Sequence, residues 1–581
     1  EIKYAWDRDA DEAISLAFNK KRADDRKKWL EHYEPDRMLE EKEGLADYSR
    51  FVHDELIHFS NADNIRSLPS LMDGLKPSQR KILFSCFKRN LRSEIRVAQL
   101  SGYVSEHAAY HHGEASLNST IIGMAQNFVG SNNVNLLRPI GQFGSRLLGG
   151  KDSASPRYIH TELDRVVDAI FRKEDAILLK HLEEDGDKIE PAYYLPVVPL
   201  LAINGSVGIG TGFSTDIPPY NPANIVSLLK HRLTGGLDTL ASRHLDPWWF
   251  GFRGKTTRSN DTTWITHGLY DMDESKHTVT ITELPVGTWT KDYKAFLDEM
   301  LVREGGNPYG LRNFDDLYND VDVRFVLYFT EDGWDAIAAA PQEFEKNFKL
   351  TSSWKTTNMC CFDAEFTIRK FASIGDILEA FVEQRLPAYE VRRQRQLDAL
   401  KKEVIELEAK RAFLRAILEG RLELMKKTDE EIVTGLKACG IPALSDPAAA
   451  DSIDGYEYVL RMRIDRVKQS AIDDMERQVA ERQVAMTALE SETPAGMWLA
   501  DLADFEAAWE KYSVERVAAS TSVAAAGGMA TKSTSAAGGG AKKRIVRKAA
   551  GMATASTKAA GVAAAGGAAA GGAAAGGAGR K

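Results

Sequence analysis

The spacing of hydrophobic positions changes several times along the chain, and each change predicts a different element. Over residues 10–33, Ala13, Ile14, Leu16, Ala17 and Phe18 lead into a charged run that closes on Trp29 and Leu30, which predicts a helix. Residues 34–50 are polar and acidic and read as a linker. From 51 to about 130 the pattern predicts short amphipathic helices divided at Pro69, Gly74, Pro77, Gly102 and Gly113. Residues 130–160, rich in Gly, Asn and Ser, read as loop with short strands. The apolar run from Leu195 to Ile203 meets Gly205, Gly208, Gly210 and Gly212, where the backbone must turn tightly or approach another group closely.

Between about 214 and 370 the period shortens to two. His277 to Thr282 and Asp322 to Tyr328 alternate as strands do, which predicts a separate α+β domain. From 376 the chain is strongly helical. Leu397, Leu400, Val404, Leu407, Leu414 and Leu418 recur at three-four spacing, with Arg411 in one slot. Ile472, Met475, Val479, Met486 and Leu489 repeat the pattern, with Arg482 in one slot. Two such stretches around a Gly/Pro-containing segment (420–455) predict an antiparallel coiled coil with a small knob at its tip. After about 516 the chain is Ala/Gly/Ser-rich and reads as disordered, because it lacks the apolar side chains that would offset ordering entropy.

Composition narrows the classes. A chain of 581 residues divides into several domains. No apolar run approaches the roughly 20 residues of a membrane-spanning helix. Four cysteines (Cys86, Cys360, Cys361, Cys439) exclude a disulfide scaffold and a Cys-rich zinc module, and point to a reducing compartment. The opening Glu1-Ile2-Lys3-Tyr4 has no signal-peptide pattern and is expected to be a cut edge or an incomplete gene. The net charge of −9 hides a division: residues 516–581 carry ten basic and no acidic side chains, so residues 1–515 stand at −19. Within that acidic body, residues 66–100 hold eight Lys and Arg against Asp73 and Glu94, a local footprint for phosphates. Lys542 to Lys548 forms a weak nuclear-import or DNA-contact patch.

Two patterns are set aside. Gly208-Ile209-Gly210-Thr211-Gly212 resembles a piece of a phosphate-binding loop but lacks the third glycine spacing and a following helix. Asp320-Val321-Asp322 has no third carboxylate near it and reads as a solvated strand face rather than a metal pair.

Six segments carry a resemblance. Asp73-Gly74-Leu75-Lys76-Pro77-Ser78-Gln79-Arg80-Lys81, Tyr110-His111-His112-Gly113-Glu114, the runs Gln126 to Asn133 and Pro139 to Gly144, Gly149 to Tyr158, and Ile203 to Gly212 resemble, in order, the eukaryotic form of the type IIA DNA topoisomerases. The resemblance runs from about 10 to 510. It implies a multidomain α+β fold: the end of a TOPRIM domain (1–33), a linker (34–50), a winged-helix cleavage domain (51–213), a tower (214–370), a coiled coil with a C-terminal dimer gate (371–510), and a disordered basic tail (511–581). Residues 491–510, with Trp498, Leu499, Leu502 and Phe505, resemble the gate's dimer contact.

The same resemblance implies roles. Tyr158 would attack a DNA phosphodiester, a covalent step that conserves the bond for resealing. A phenol with a pKa near ~10 needs help at neutral pH, and charge gathering on the phosphoryl oxygens calls for fixed cations. Arg157, Arg66 and His112 match those positions. Arg26, Lys27, Lys76, Arg80, Lys81, Tyr110, His111, Ser116 and Lys151 match segments that hold the DNA backbone. Ile209 matches a wedge between base pairs, and Trp289 a tower contact to bent DNA. Position 287 is Gly where the eukaryotic pattern usually has Arg. The family's Mg2+-holding acidic motifs and ATP-hydrolysing region have no counterpart in these residues, so Mg2+ and ATP are expected of the full-length enzyme and no metal site is expected here. The expected partners are double-stranded DNA and a second copy of the chain, in the nucleus, with no membrane. The alternative is a non-catalytic, DNA-bending architectural protein derived from such an enzyme; a meiotic relative would lack the long coiled coil.

Overall fold

The computed structural model describes residues 2–39, 44–235, 240, 245–302, 309–444, 452–462 and 468–532, with side chains as far as 520. Its elements lie in one compact unit, Glu1–Met529; the second, Ala530–Lys581, falls almost wholly outside the described residues, as does the basic patch at 542–548.

The largest core is built by helices Ile57–Ser67, Pro77–Lys88, Val97–His107 and Glu114–Ala125, together with the buried run Leu200–Asn204. Ile82, Leu83, Leu100, Val104, Leu117 and Ile121 are fully buried there. Each such side chain contributes about 1.5–3 kcal/mol relative to exposure. Pro77 starts its helix at a position that has no N–H to lose, and Gln79 returns a hydrogen bond to the Lys76 N–H. Gly102 lies inside Val97–His107 and divides nothing.

The N-terminal expectations need correcting. Residues 10–33 are two helices, Ala10–Phe18 and Ala23–Glu31, because Asn19 is extended and its side chain accepts from the Lys21 N–H. The stretch read as a linker to residue 50 contains Leu45–Asp47, a strand paired in parallel with Lys3–Ala5, and the helical turn Tyr48–Arg50.

Residues 255–355 carry two antiparallel sheets. Lys255–Asn260, Thr263–His267 and Thr351–Lys355 form one, with Thr263–His267 central. In the other, Leu269–Asp273, Thr278–Glu283, Phe325–Phe329 and Leu311–Asp316 lie side by side in that order. The alternation buries Val279 opposite Leu327 and Ile281 opposite Phe325. Asp320–Asp322 is not strand: the Asn19-like device recurs, with the Asn319 side chain accepting from the Val321 and Asp322 N–H groups and turning the chain before Phe325.

Helix Ile374–Leu418 returns through Gln469–Ser491. The pairs Arg482–Glu403 and Arg415–Glu476 fix the two as antiparallel, and Leu397, Val404, Leu414, Ile472 and Val479 are buried. Arg411 and Arg482 lie beside the seam and pair with carboxylates of the opposite helix. At the far end Asp429–Ala438 and Ile453–Leu460 close a small core over Phe413, Leu414 and Ile472.

Two further expectations are overturned. Trp498, Leu502 and Phe505 do not face outward as a dimer contact; they are buried in the main core, where the Trp498 indole donates to the Val197 carbonyl. Order does not stop at 511 either. Helix Pro494–Lys532 continues, and Tyr512 and Arg516 are buried. Arg516 donates to the carbonyls of Asn127, Asn132 and Asn133 and lies over the Phe250 ring at 4.2 Å.

Candidate functional site

Tyr158 sits on a tight turn whose ends are fastened. Its N–H donates to the Ser155 carbonyl, and the next residues enter the short strand His160–Thr161, paired with Ile95–Arg96. The Ala98 N–H donates to the Pro156 carbonyl and the Val97 N–H to that of Ile159, which ties the turn to the start of helix Val97–His107. Ile159 points inward and is buried, so Tyr158 and Arg157 point to solvent. Tyr158 is 72% exposed, and its hydroxyl makes no hydrogen bond among the described residues. Arg157 has no carboxylate partner among them. A phenol held on a rigid turn, free to reach an incoming electrophile, beside an unneutralised guanidinium suits attack on a phosphoryl centre.

A second group gathers around the hairpin Ser206–Ile209 and Ser214–Ile217. Ile209 at its tip is 81% exposed. The hairpin lies so close to helix Ile57–Ser67 that a Cβ at Gly208 would collide with the Ser67 carbonyl, and one at Gly210 with the Asn64 side chain. This explains the glycines without any phosphate. Asn64 Nδ2 donates to the Thr211 carbonyl at 3.0 Å, Thr211 Oγ1 donates to Asp63 at 3.1 Å, and Asp63 pairs with Arg66 at 2.8 Å. Lys76 Nζ donates to the Val207 carbonyl at 2.8 Å, and burial lowers its pKa. Lys27 lies over the Phe213 ring and pairs with Asp24 at 2.7 Å, which lowers the Asp24 pKa. Arg26 packs on Gly212, and its Nη1 donates to the Leu16 and Asn19 carbonyls. The structure thus brings Arg26, Lys27, Arg66, Lys76 and Ile209 to one hairpin. Arg26 serves there partly as a C-terminal cap for helix Ala10–Phe18.

His112 and Ser116 are exposed at the start of helix Glu114–Ala125. His111 pairs with Glu184 at 2.6 Å. Tyr110 is buried and supports the His112 ring edge-on at 5.4 Å, so it positions rather than contacts. Lys151 is exposed. Trp289 is half-buried against Phe128 and over Gly149, whose φ of +61° and contact with the indole both require glycine. Among the described residues no hydrogen bond, ion pair or ring contact links the Tyr158 side chain to Arg66, His112 or Trp289.

Arg80 and Lys81 do not belong with the backbone contacts. Arg80 is buried, with Nε 2.7 Å from Asp73 Oδ2 and Nη2 3.1 Å from Oδ1. Lys81 Nζ donates to the Ala108 carbonyl and to Glu190 at 3.0 Å. Both hold helix Pro77–Lys88 in place, and neither has a donor facing solvent that a phosphate needs.

Sequence reasoning missed the residues that support the site. Asn133 Nδ2 donates to the Ile203 and Trp248 carbonyls, while its Oδ1 accepts from the Phe250 N–H. Gln126 donates to the Phe143 and Gly150 carbonyls. Arg146 pairs with the buried Glu283 at 2.5 Å, fastening the Gly149–Lys151 segment to the start of the Trp289 loop. Their only sequence signal is polar residues standing amid otherwise apolar or glycine-rich runs. Among the described residues no three His, Cys, Asp or Glu side chains converge to hold a metal ion, so these residues do not fit a Mg2+ site and no chemistry below passes through one.

This geometry defines a protein that presents a tyrosine and a basic, wedge-bearing surface to an extended polyanion. Over residues 66–503 the chain matches the DNA gyrase/topoisomerase IV family, and over 1–64 the C-terminal associated domain of TOPRIM. The chain belongs to the type IIA topoisomerase family, and it resembles the breakage-reunion region of the eukaryotic-type enzymes. It is 41% identical over 565 residues to DNA topoisomerase 2 of Arabidopsis thaliana, covering 90% of this chain and 37% of that protein. It is 39% identical over 539 residues to DNA topoisomerase 2 of Plasmodium falciparum (88% and 38% covered). It is 37% identical over 515 residues to the mitochondrial DNA topoisomerase 2 of Dictyostelium discoideum (88% and 39%). The crystal structure of the Plasmodium falciparum topoisomerase II DNA-binding, cleavage and re-ligation domain superposes with a TM-score of 0.77 at 37% identity, covering 90% of this chain and 72% of that one. The chain spans little more than a third of the length of the curated relatives it matches.

Proposed function

We propose that this chain is the breakage-reunion part of a eukaryotic-type DNA topoisomerase II. Tyr158 Oη attacks a backbone phosphorus in double-stranded DNA. The P–O3′ bond breaks, a 5′-phosphotyrosyl ester forms, the phenolic proton leaves to solvent or a base, and the departing 3′ oxygen takes up a proton. Reversal restores the strand. Arg157, Arg66 and His112 offset the charge on the phosphoryl oxygens. Lys27, Lys76, Ser116, His111, Lys151 and Arg26 hold backbone, Ile209 unstacks a base step, and Trp289 braces the bent duplex. The helices at 57–125 act as the winged-helix domain, the two sheets as the tower, and the long helix pair as the coiled coil. The homodimer gate then lies at the knob, where Met425 and Leu444 are exposed. ATP and Mg2+ belong to the full-length enzyme, and the nucleus is the proposed compartment.

The observation that carries this reading is the free, 72% exposed Tyr158 hydroxyl beside an unpaired Arg157. The test incubates the chain with supercoiled DNA, Mg2+ and an added TOPRIM fragment, then traps with detergent. Linear DNA with covalently attached protein, absent in Tyr158→Phe, is the expected result. Bent DNA with no adduct under any of these conditions would replace the enzyme with the architectural reading, which the exposed Ile209 wedge also suits.

A further inference from the structure

A groove of about 320 Å³ opens on the other side of the long helix from its buried ion pairs, between Ile374–Leu418, the turn Lys173–Leu178 and the hairpin tip at 364–366. Gln384, Ala388, Val391 and Arg395 line it from the long helix. Their spacing of four, three and four residues makes them one face, while Arg385, Tyr389 and Arg392 on another face are buried. The groove's uncovered apolar side chains are large: Ile177, Phe366 and Val391 are all about half or more exposed.

Phe366 is the least expected of them. Its φ is +62°, a left-handed conformation that a bulky side chain adopts only when the surroundings impose it. Here Asp363 imposes it: its Oδ1 accepts from the Glu365 and Thr367 N–H groups, and its carbonyl accepts from the Phe366 N–H. The result is an aromatic ring displayed at the lip of a groove, 6.0 Å from the Tyr193 ring, where glycine would be the easier residue. Two cations, Lys180 and Arg395, also line the groove, and neither has a carboxylate partner among the described residues. On a body of net −19 that pairs most of its buried and half-buried arginines, two unneutralised cations around an apolar slot select a partner.

We propose that this groove docks a short acidic segment of a partner protein, with an aliphatic or aromatic side chain seated between Phe366 and Val391 and carboxylates on Lys180 and Arg395. The chain's own tail is the wrong occupant, since residues 516–581 carry ten basic and no acidic side chains. Duplex DNA would satisfy the cations but not the apolar slot.

The probe is a short fluorescein-labelled peptide with Glu and Asp around a central Phe-Leu pair, titrated with the whole chain by fluorescence anisotropy. Binding that weakens with salt, and about tenfold or more in Phe366→Gly, is expected. Phe366→Gly relieves the positive φ, so its melting temperature should hold or rise while binding falls; a purely structural Phe366 would give the opposite. Lys180→Glu with Arg395→Glu should cost roughly three- to tenfold, and a Gln/Asn version of the peptide should bind the wild type comparably poorly. The proposal is overturned if the peptide does not bind, or if the charge reversals weaken duplex DNA as much as the peptide. Self-association lost in Phe366→Gly and indifferent to the peptide would likewise overturn it, by assigning the groove to a second copy.

Discussion

Two regions of the molecule place a tyrosine beside arginine and arrive at opposite chemistry. On the turn at Arg157–Tyr158 both side chains face solvent, without internal partners among the described residues. At the root of the long helix pair, Tyr389 lies between Arg385, 4.1 Å from its ring, and the stacked Trp498, 5.4 Å away. Its hydroxyl donates to Asp501, and burial pushes the phenol far above its ordinary pKa. Around it Arg385 pairs with Asp175 at 2.5 Å, Arg392 with Asp501 at 2.7 Å, and Arg172 with Asp501 and Asp504. A phenol next to a guanidinium is therefore not a reactive site in itself. Access and the absence of competing partners make it one, and saturation with partners makes it a structural joint.

The contrast can be broken from the buried side with the largest expected effect on stability. Asp175→Ala leaves Arg385 fully buried without its carboxylate and removes a neighbour of Arg392. A loss of about 3–5 kcal/mol is expected in urea unfolding. Tyr158→Phe, by comparison, should stay within about 0.5 kcal/mol of wild type, because an exposed hydroxyl with no partner is removed. A Tyr158→Phe chain that unfolds as readily as Asp175→Ala would erase the distinction between the two regions.

Arg516 sharpens the comparison, since it is a buried arginine satisfied without a carboxylate. Three carbonyls, the Tyr512 hydroxyl and the Phe250 ring surround it, and burial lowers its pKa. Arg516→Ala should cost about 2–4 kcal/mol by leaving the Asn127, Asn132 and Asn133 carbonyls short of a donor. Arg516→Lys should recover part of that, because an ammonium supplies three donors but not the planar fork. Equal stability of Arg516→Ala and wild type would mean that the last helix merely rests on the loop at 127–133.

Much of this architecture was readable before any coordinates. The period-two stretch at 278–283 and the three-four repeats in the long helices are local patterns, and they appear where spacing placed them. What sequence could not reveal is direction and partnership. Arg66, Arg80 and Arg157 look alike in a charge count. Only the fold turns Arg80 inward onto Asp73, half-occupies Arg66 with Asp63 and leaves Arg157 unpaired. Trp498, Leu502 and Phe505 had the right chemistry for an interface, but whether they meet another chain or their own core is a long-range fact. The Ala/Gly-rich composition after 516 concealed Tyr512 and Arg516, one helical turn apart, because an average over a low-complexity segment hides its one anchored edge.

The smallest effect concerns a carboxylate that lies near the last helix. Asp164 accepts from the Val166 N–H at 3.0 Å, and burial raises its pKa above 3.8, with Glu515 also raising it and Arg138 acting against both. The ionised form is therefore the unfavourable one in the folded state. A carboxyl whose folded pKa exceeds its unfolded value lowers stability in full above the folded value. The deficit shrinks as pH falls through the window toward 3.8 and is gone below it. Asp164→Asn keeps an oxygen for the Val166 N–H and removes the charge. It should equal or exceed wild type by up to about 1 kcal/mol near pH 7, and this difference should close as the two are unfolded at progressively lower pH. A variant that is instead less stable at neutral pH, with the gap narrowing on acidification, would show that the attraction to Arg138 outweighs burial and that this carboxylate behaves like those at the root of the helix pair.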